Sequence, residues 1–121
     1  MSEPTVTAAR FIATQANLKQ LGIEVAHEFG GGTYIKTTHI PAGCVLSQHQ
    51  HDHDHLSVLV SGSVRLYVDG IARELSGFQV LTIEAGRIHA VESITDAIWL
   101  CVWASDCTDP ERVDATILRG N

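Results

Sequence analysis

Four of the chain's seven histidines fall close together, as His49, His51, His53 and His55 in the segment SQHQHDHDHLSV. Alternate residues of a straight β-strand point to the same side, so an extended segment would line all four rings along one face. The imidazole is the commonest protein ligand for transition metals, and two histidines at i and i+2 on a strand can share one ion. Three readings of the pattern stay open on spacing alone. It is a polar strand edge, a metal site using every ring, or a metal site with one ring left over. An exposed strand usually draws Thr, Lys, Glu or Arg, which speaks against the first.

The remaining chemistry is sparse. There is no Ser-His-Asp order, no phosphate-cradling glycine loop and no pair of glutamates. Asp52 and Asp54 alternate with the histidines, where they read as turn residues. His27 and His39 read as structural or surface histidines. Tyr34 and Lys36 share a strand parity and could anchor a carboxylate or enolate, although a plain surface face explains them as well. Trp99, Cys101 and Trp103 share another parity and read as core. Arg87 is a candidate pocket cation. If His49 and His51 face an interior, Val45 and Ser47 are expected on the same face. Ser57 and Leu59 would likewise follow His55.

The elements that must carry these residues are strands. TYIKTTHI is rich in β-branched and aromatic residues and stops at Pro41-Ala42-Gly43, a turn signal. CVLSQHQ and LSVLVSG flank the histidines, and SVRLYV runs through Asp69-Gly70, a hairpin signal, into IARELS. FQVLTI, IHAVES and AIWLCVW complete the series. About eight short strands with regular turn signals predict an all-β sandwich or barrel. Residues 7–21 are expected as a short helix or an irregular arm, and Gly30-Gly31-Gly32 as a hinge into the main body. In the tail, VDATIL is expected as an edge strand or short helix.

Bulk properties bound the function. The chain has 121 residues, which suits one domain with a core of its own. A formal charge of −6 with 8 scattered Lys and Arg opposes nucleic-acid binding, which needs a basic face. No apolar run approaches a membrane span, and the N-terminus has no secretory pattern. A cytoplasmic location is therefore expected. Cys44, Cys101 and Cys107 are odd in number and widely spaced, so no disulfide or CxxC metal pair is expected.

The glycines that bracket the histidines add a specific resemblance. Gly43, His49, His51, His55 and Gly62 reproduce the spacing of the first cupin motif, G-x5-HxH-x3,4-E-x6-G, with His55 where the family usually has glutamate. The run after Gly77, FQVLTIEAGRIHAVES, resembles the second motif, G-x5-PxG-x2-H-x3-N, in Gly86 and His89. It departs at the proline, in the length of the first gap, and at Ser93, which stands for the asparagine. The resemblance implies a cupin-type double-stranded β-helix, or jelly-roll, barrel over residues 31–121, with residues 1–30 as an N-terminal arm or short helix. It implies a divalent metal on His49, His51, His55 and His89, with His53 left in a turn. Iron comes first, and Mn, Ni, Cu or Zn are also open. Four neutral imidazoles leave the ion more of its charge than a three-His, one-Glu shell does, which favours anionic ligands. A closed tetrahedral zinc site would instead be inert.

On this resemblance the expected function is a metal-dependent small-molecule enzyme of dioxygenase or oxidoreductase type. The alternatives are a metal-dependent isomerase or lyase, and a non-catalytic cupin that binds a small ligand or metal. The expected partners are a small-molecule substrate or ligand and a second copy of the chain in a homodimer, with the segment before Gly30 as a candidate contact.

Overall fold

The computed structural model describes residues 11–13, 17–48, 53–87, 89–105 and 108–109. Among these residues it is all-β, with ten strands and no helix. They are β1 (Phe11–Ile12), β2 (Glu24–Gly30), β3 (Thr33–Ile40), β4 (Cys44–Gln48), β5 (His55–Ser61), β6 (Ser63–Val68), β7 (Ile71–Ser76), β8 (Gln79–Ile83), β9 (His89–Ser93) and β10 (Ala97–Ala104). One sheet has the order β1-β4-β9-β6-β7 and the other β2-β3-β10-β5-β8. From β3 onward, every connection except the β6–β7 hairpin passes from one sheet to the other. This is the jelly-roll barrel that the strand pattern and motifs predict.

The sheets enclose one core. Leu46, Val64, Leu66 and Val91 come from the first sheet, and Ile40, Leu59, Ile83 and Trp99 from the second, into a single buried cluster. Alternation along each strand supplies this face and leaves the other outside. β5 shows it plainly: His55, Ser57 and Leu59 are buried, while Leu56 and Val60 are exposed.

Turn chemistry places the crossings. Asp69 (φ 51°) and Gly70 (φ 85°) both take left-handed backbone, the requirement of a type I′ hairpin between β6 and β7. Gly62, at the crossing from β5 to β6, has φ +92°, and a Cβ there would collide with the Asp96 carbonyl and lie 2.8 Å from Ala97 Cα. The second bracketing glycine of the first motif is therefore a close-packing position.

The N-terminal third differs from expectation. EVAHEFG alternates exposed and half-buried residues and pairs along its whole length with β3, from Glu24↔His39 to Gly30↔Thr33. Gly31 and Gly32, both at positive φ, thus turn a hairpin where a hinge was expected. Of residues 7–21, Phe11–Ile12 add a short parallel strand beside β4, and 17–22 form turns. The tail stretch VDATIL lies outside the described residues. No helix among those described is long and apolar enough to cross a membrane.

Candidate metal centre

One end of the barrel carries the ends of β4, β6 and β8 and the starts of β5 and β9. His55 opens β5 opposite Ile83, the last residue of β8. His89 opens β9 between Gln48, the last residue of β4, and Val68, the last of β6. The two histidines thus come from different sheets at the same end of the barrel. Both share strand parity with core residues, Leu59 for His55 and Val91 for His89, and they are 6% and 3% exposed.

Each is held differently. The His55 ring stacks on Trp103 with centroids 3.8 Å apart and planes at 22°. Its Nε2 lies 3.4 Å from Ser57 Oγ. The indole face and the hydroxyl restrict the ring to a narrow range of orientations, as a ligand needs. His89 buries Nδ1 with no hydrogen-bond partner among the described residues. Burial pushes its pKa down, with smaller opposing contributions from the Arg87 carbonyl and the Asp69 and Glu84 carboxylates. A neutral imidazole with an unsatisfied buried nitrogen suits a metal ligand, since the ligating form is the deprotonated one and buried polar atoms ordinarily find a partner.

The other expected site residues fall as follows. His49 and His51 lie outside the described residues; of the four, the structure places His55 and His89 at the same end of the barrel. Among the described residues no three His, Cys, Asp or Glu side chains gather as a metal-holding group. His53 is exposed in the turn before β5. Asp54 accepts a hydrogen bond from the Ala85 amide at 2.8 Å, which ties that turn to the β8–β9 loop. Arg87 sits between two carboxylates, 3.0 Å from Asp69 and 3.1 Å from Glu84. It is therefore neutralised at the rim. His27 Nδ1 meets the Tyr34 hydroxyl at 2.7 Å, and His39 is exposed. Cys44 is buried and Cys101 half-buried, both as free thiols.

One expectation is corrected. Val45 does not share the interior face. Leu46 pairs with Val91 of the core, whereas Val45 pairs with Glu92 on the outer face. That outer face also holds a feature the sequence reading missed. Glu92, 2% exposed, accepts hydrogen bonds from the Tyr67 hydroxyl at 2.7 Å and from Arg65 at 3.1 Å. Arg65 reaches on to Glu74 at 2.7 Å. The shared parity of Arg65 and Tyr67 in SVRLYV was the available signal. Ser93, at the family's asparagine position, closes the turn before β4: its hydroxyl accepts from the Cys44 amide at 3.1 Å and donates to the Pro41 carbonyl.

Comparisons with known proteins agree with this architecture. The chain is similar to a cupin superfamily protein of Desulfitobacterium hafniense, at 19% identity and TM-score 0.61 over 69% of this chain and 78% of that one. It is similar to KdgF from a Halomonas species, at 17% identity and TM-score 0.59 over 67% and 76% of the two chains. EutQ of Clostridium difficile follows at 12% identity and TM-score 0.56, over 69% and 64%. At these identities the likeness is one of fold. No curated protein matches the chain. The Cupin domain family matches residues 36–103, a stretch that holds all four bracketed histidines and the whole barrel from β3 to β10, and the chain belongs to that family.

Proposed function

We propose that the protein holds a divalent transition metal on His49, His51, His55 and His89 and acts on a small molecule as an oxidoreductase of dioxygenase type. The observation that carries this reading is the pair His55 and His89, buried at one end of the barrel from opposite sheets, with His89 Nδ1 unsatisfied among the described residues. His49 follows directly on the position opposite His89.

Iron is the first candidate. When bound on these histidines, it would supply Lewis acidity and reaction with O2. The protein's own part is to exclude water and to fix the rings. Trp103 and Ser57 hold His55, and Asp54 ties down the turn that delivers it. An isomerase or lyase would need a base near the centre, for which the sequence offers His53, Tyr34 and Glu84. Tyr34 is hydrogen-bonded to His27 and Glu84 is ion-paired with Arg87, which leaves His53, exposed in the turn before β5, as the candidate for that second reading.

The test is metal analysis of protein purified without added metal, then oxygen uptake with diketones, catechols and thiols. Iron with oxygen consumption is expected. Zinc without oxygen uptake would sink the oxidoreductase reading. For the ligand set, His55→Ala should lose the metal and His53→Ala should keep it. The reverse result would overturn the register.

A further inference from the structure

The strand register of the second sheet arranges its interior side chains in rows across β2, β3, β10 and β5. The row nearest the open end runs Phe29, Tyr34, Trp103, and continues to His55 through the stack on Trp103. The deepest of the three, Val25, Thr38, Trp99 and Leu59, is mostly apolar. The row between them is polar: His27 pairs with Lys36, Lys36 with Cys101, and Cys101 with Ser57. Ser57 Oγ then lies 3.7 Å from Cys101 Sγ and 3.4 Å from His55 Nε2.

Lys36 is the anomaly in this row. It is half-buried and lies on the face of Tyr34, Thr38 and Ile40, all of them buried. It makes no ion pair or hydrogen bond among the described residues, although the chain carries 14 Asp and Glu against 8 Lys and Arg. The carboxylates of Glu24 and Glu28 on the adjacent strand have the opposite parity and are exposed. Arg65 and Arg87, by contrast, each have two carboxylate partners. A half-buried cation with no ion pair among the described residues is a position at which an anionic ligand gains a charge partner.

We propose that Lys36 forms an anion subsite on the inner face of the barrel, and that the ligand is a small carboxylate carrying a second oxygen donor a few carbons away. Adjacent interior rows are about 7 Å apart along the strand and strands about 4.8 Å apart. A ligand of that size therefore spans from the Lys36 row to the His55 row. The position of the second oxygen rests on the metal reading above; the carboxylate subsite does not.

The experiment is calorimetric titration with malonate, and with dimethyl malonate as the uncharged control, on protein whose metal content is measured in parallel. Wild type should bind malonate and not the diester. Lys36→Met should keep its metal content and circular dichroism but weaken malonate on the order of tenfold or more, and Lys36→Arg should retain binding. Equal malonate affinity in wild type and Lys36→Met, or no malonate binding by wild type, overturns the subsite. If Lys36→Met does not fold, the same comparison is read from Lys36→Gln. Lys36-dependent malonate binding by a protein that takes up no metal would uphold the subsite and remove the metal reading. Metal uptake with malonate binding indifferent to Lys36 would do the opposite.

Discussion

His89 shows most directly how burial sets the chemistry of a single side chain. Desolvation lowers its pKa, so the folded protein favours the neutral ring. The unfolded chain protonates near the ordinary value of about 6.5. The stability from this residue is therefore whole above that pH. It is lost as pH falls from there through the lower folded pKa. The metal-free protein is expected to lose denaturant resistance on acidification below about pH 6.5, and His89→Gln to lose less. Urea midpoints of both proteins on either side of that pH check it, and parallel curves would show that His89 is not the group responsible. Metal-loaded protein should show a steeper loss, because protons and the ion compete for the same nitrogen.

Among the elements, the crossings between sheets carry more constraint than the strands they join. Gly62 and Gly86 both have positive φ, but only Gly62 has backbone pressed against the place a Cβ would occupy. Gly62→Ala is expected to cost more than about 2 kcal/mol, from steric conflict on top of backbone strain. Gly86→Ala should cost about 1 kcal/mol, from strain alone. Thermal or chemical denaturation distinguishes them, and equal costs would mean that the Asp96–Ala97 backbone moves aside freely. The same contrast explains what the motif glycines record. Gly62 was legible as a bracket in the sequence, but its reason, the Asp96 carbonyl 34 positions further on, belongs to the fold.

In the whole molecule, the outer face of the second sheet carries Leu56, Val60 and Val80, which are 47%, 36% and 54% exposed. β8, β5 and β10 bring them together with the half-buried Val58, Leu100 and Val102. We propose this apolar face, in place of the segment before Gly30, as the surface through which a homodimer would pack. Val80→Glu should shift the mass in sedimentation equilibrium from dimer toward monomer. A wild-type chain that sediments as a monomer would remove the dimer from the account.

Composition, alternation and turn residues by themselves determined the strand series from Thr33 to Trp103, the Asp69-Gly70 hairpin and an all-β sandwich or barrel, because each depends on neighbours a few residues apart. The resemblance to the two cupin motifs, rather than local pattern, singled out His55 and His89. Strand β2 escaped, since EVAHEFG alternates weakly and its pairing with β3 is what makes it a strand. Only the tertiary structure decided that Val45 faces outward, because facing depends on which partner residue lies opposite. It also placed Trp103 against His55, Glu92 between Arg65 and Tyr67, and Lys36 on the inner face with no ion pair among the described residues. Those relations join residues far apart in sequence, and no local pattern encodes which of them meet.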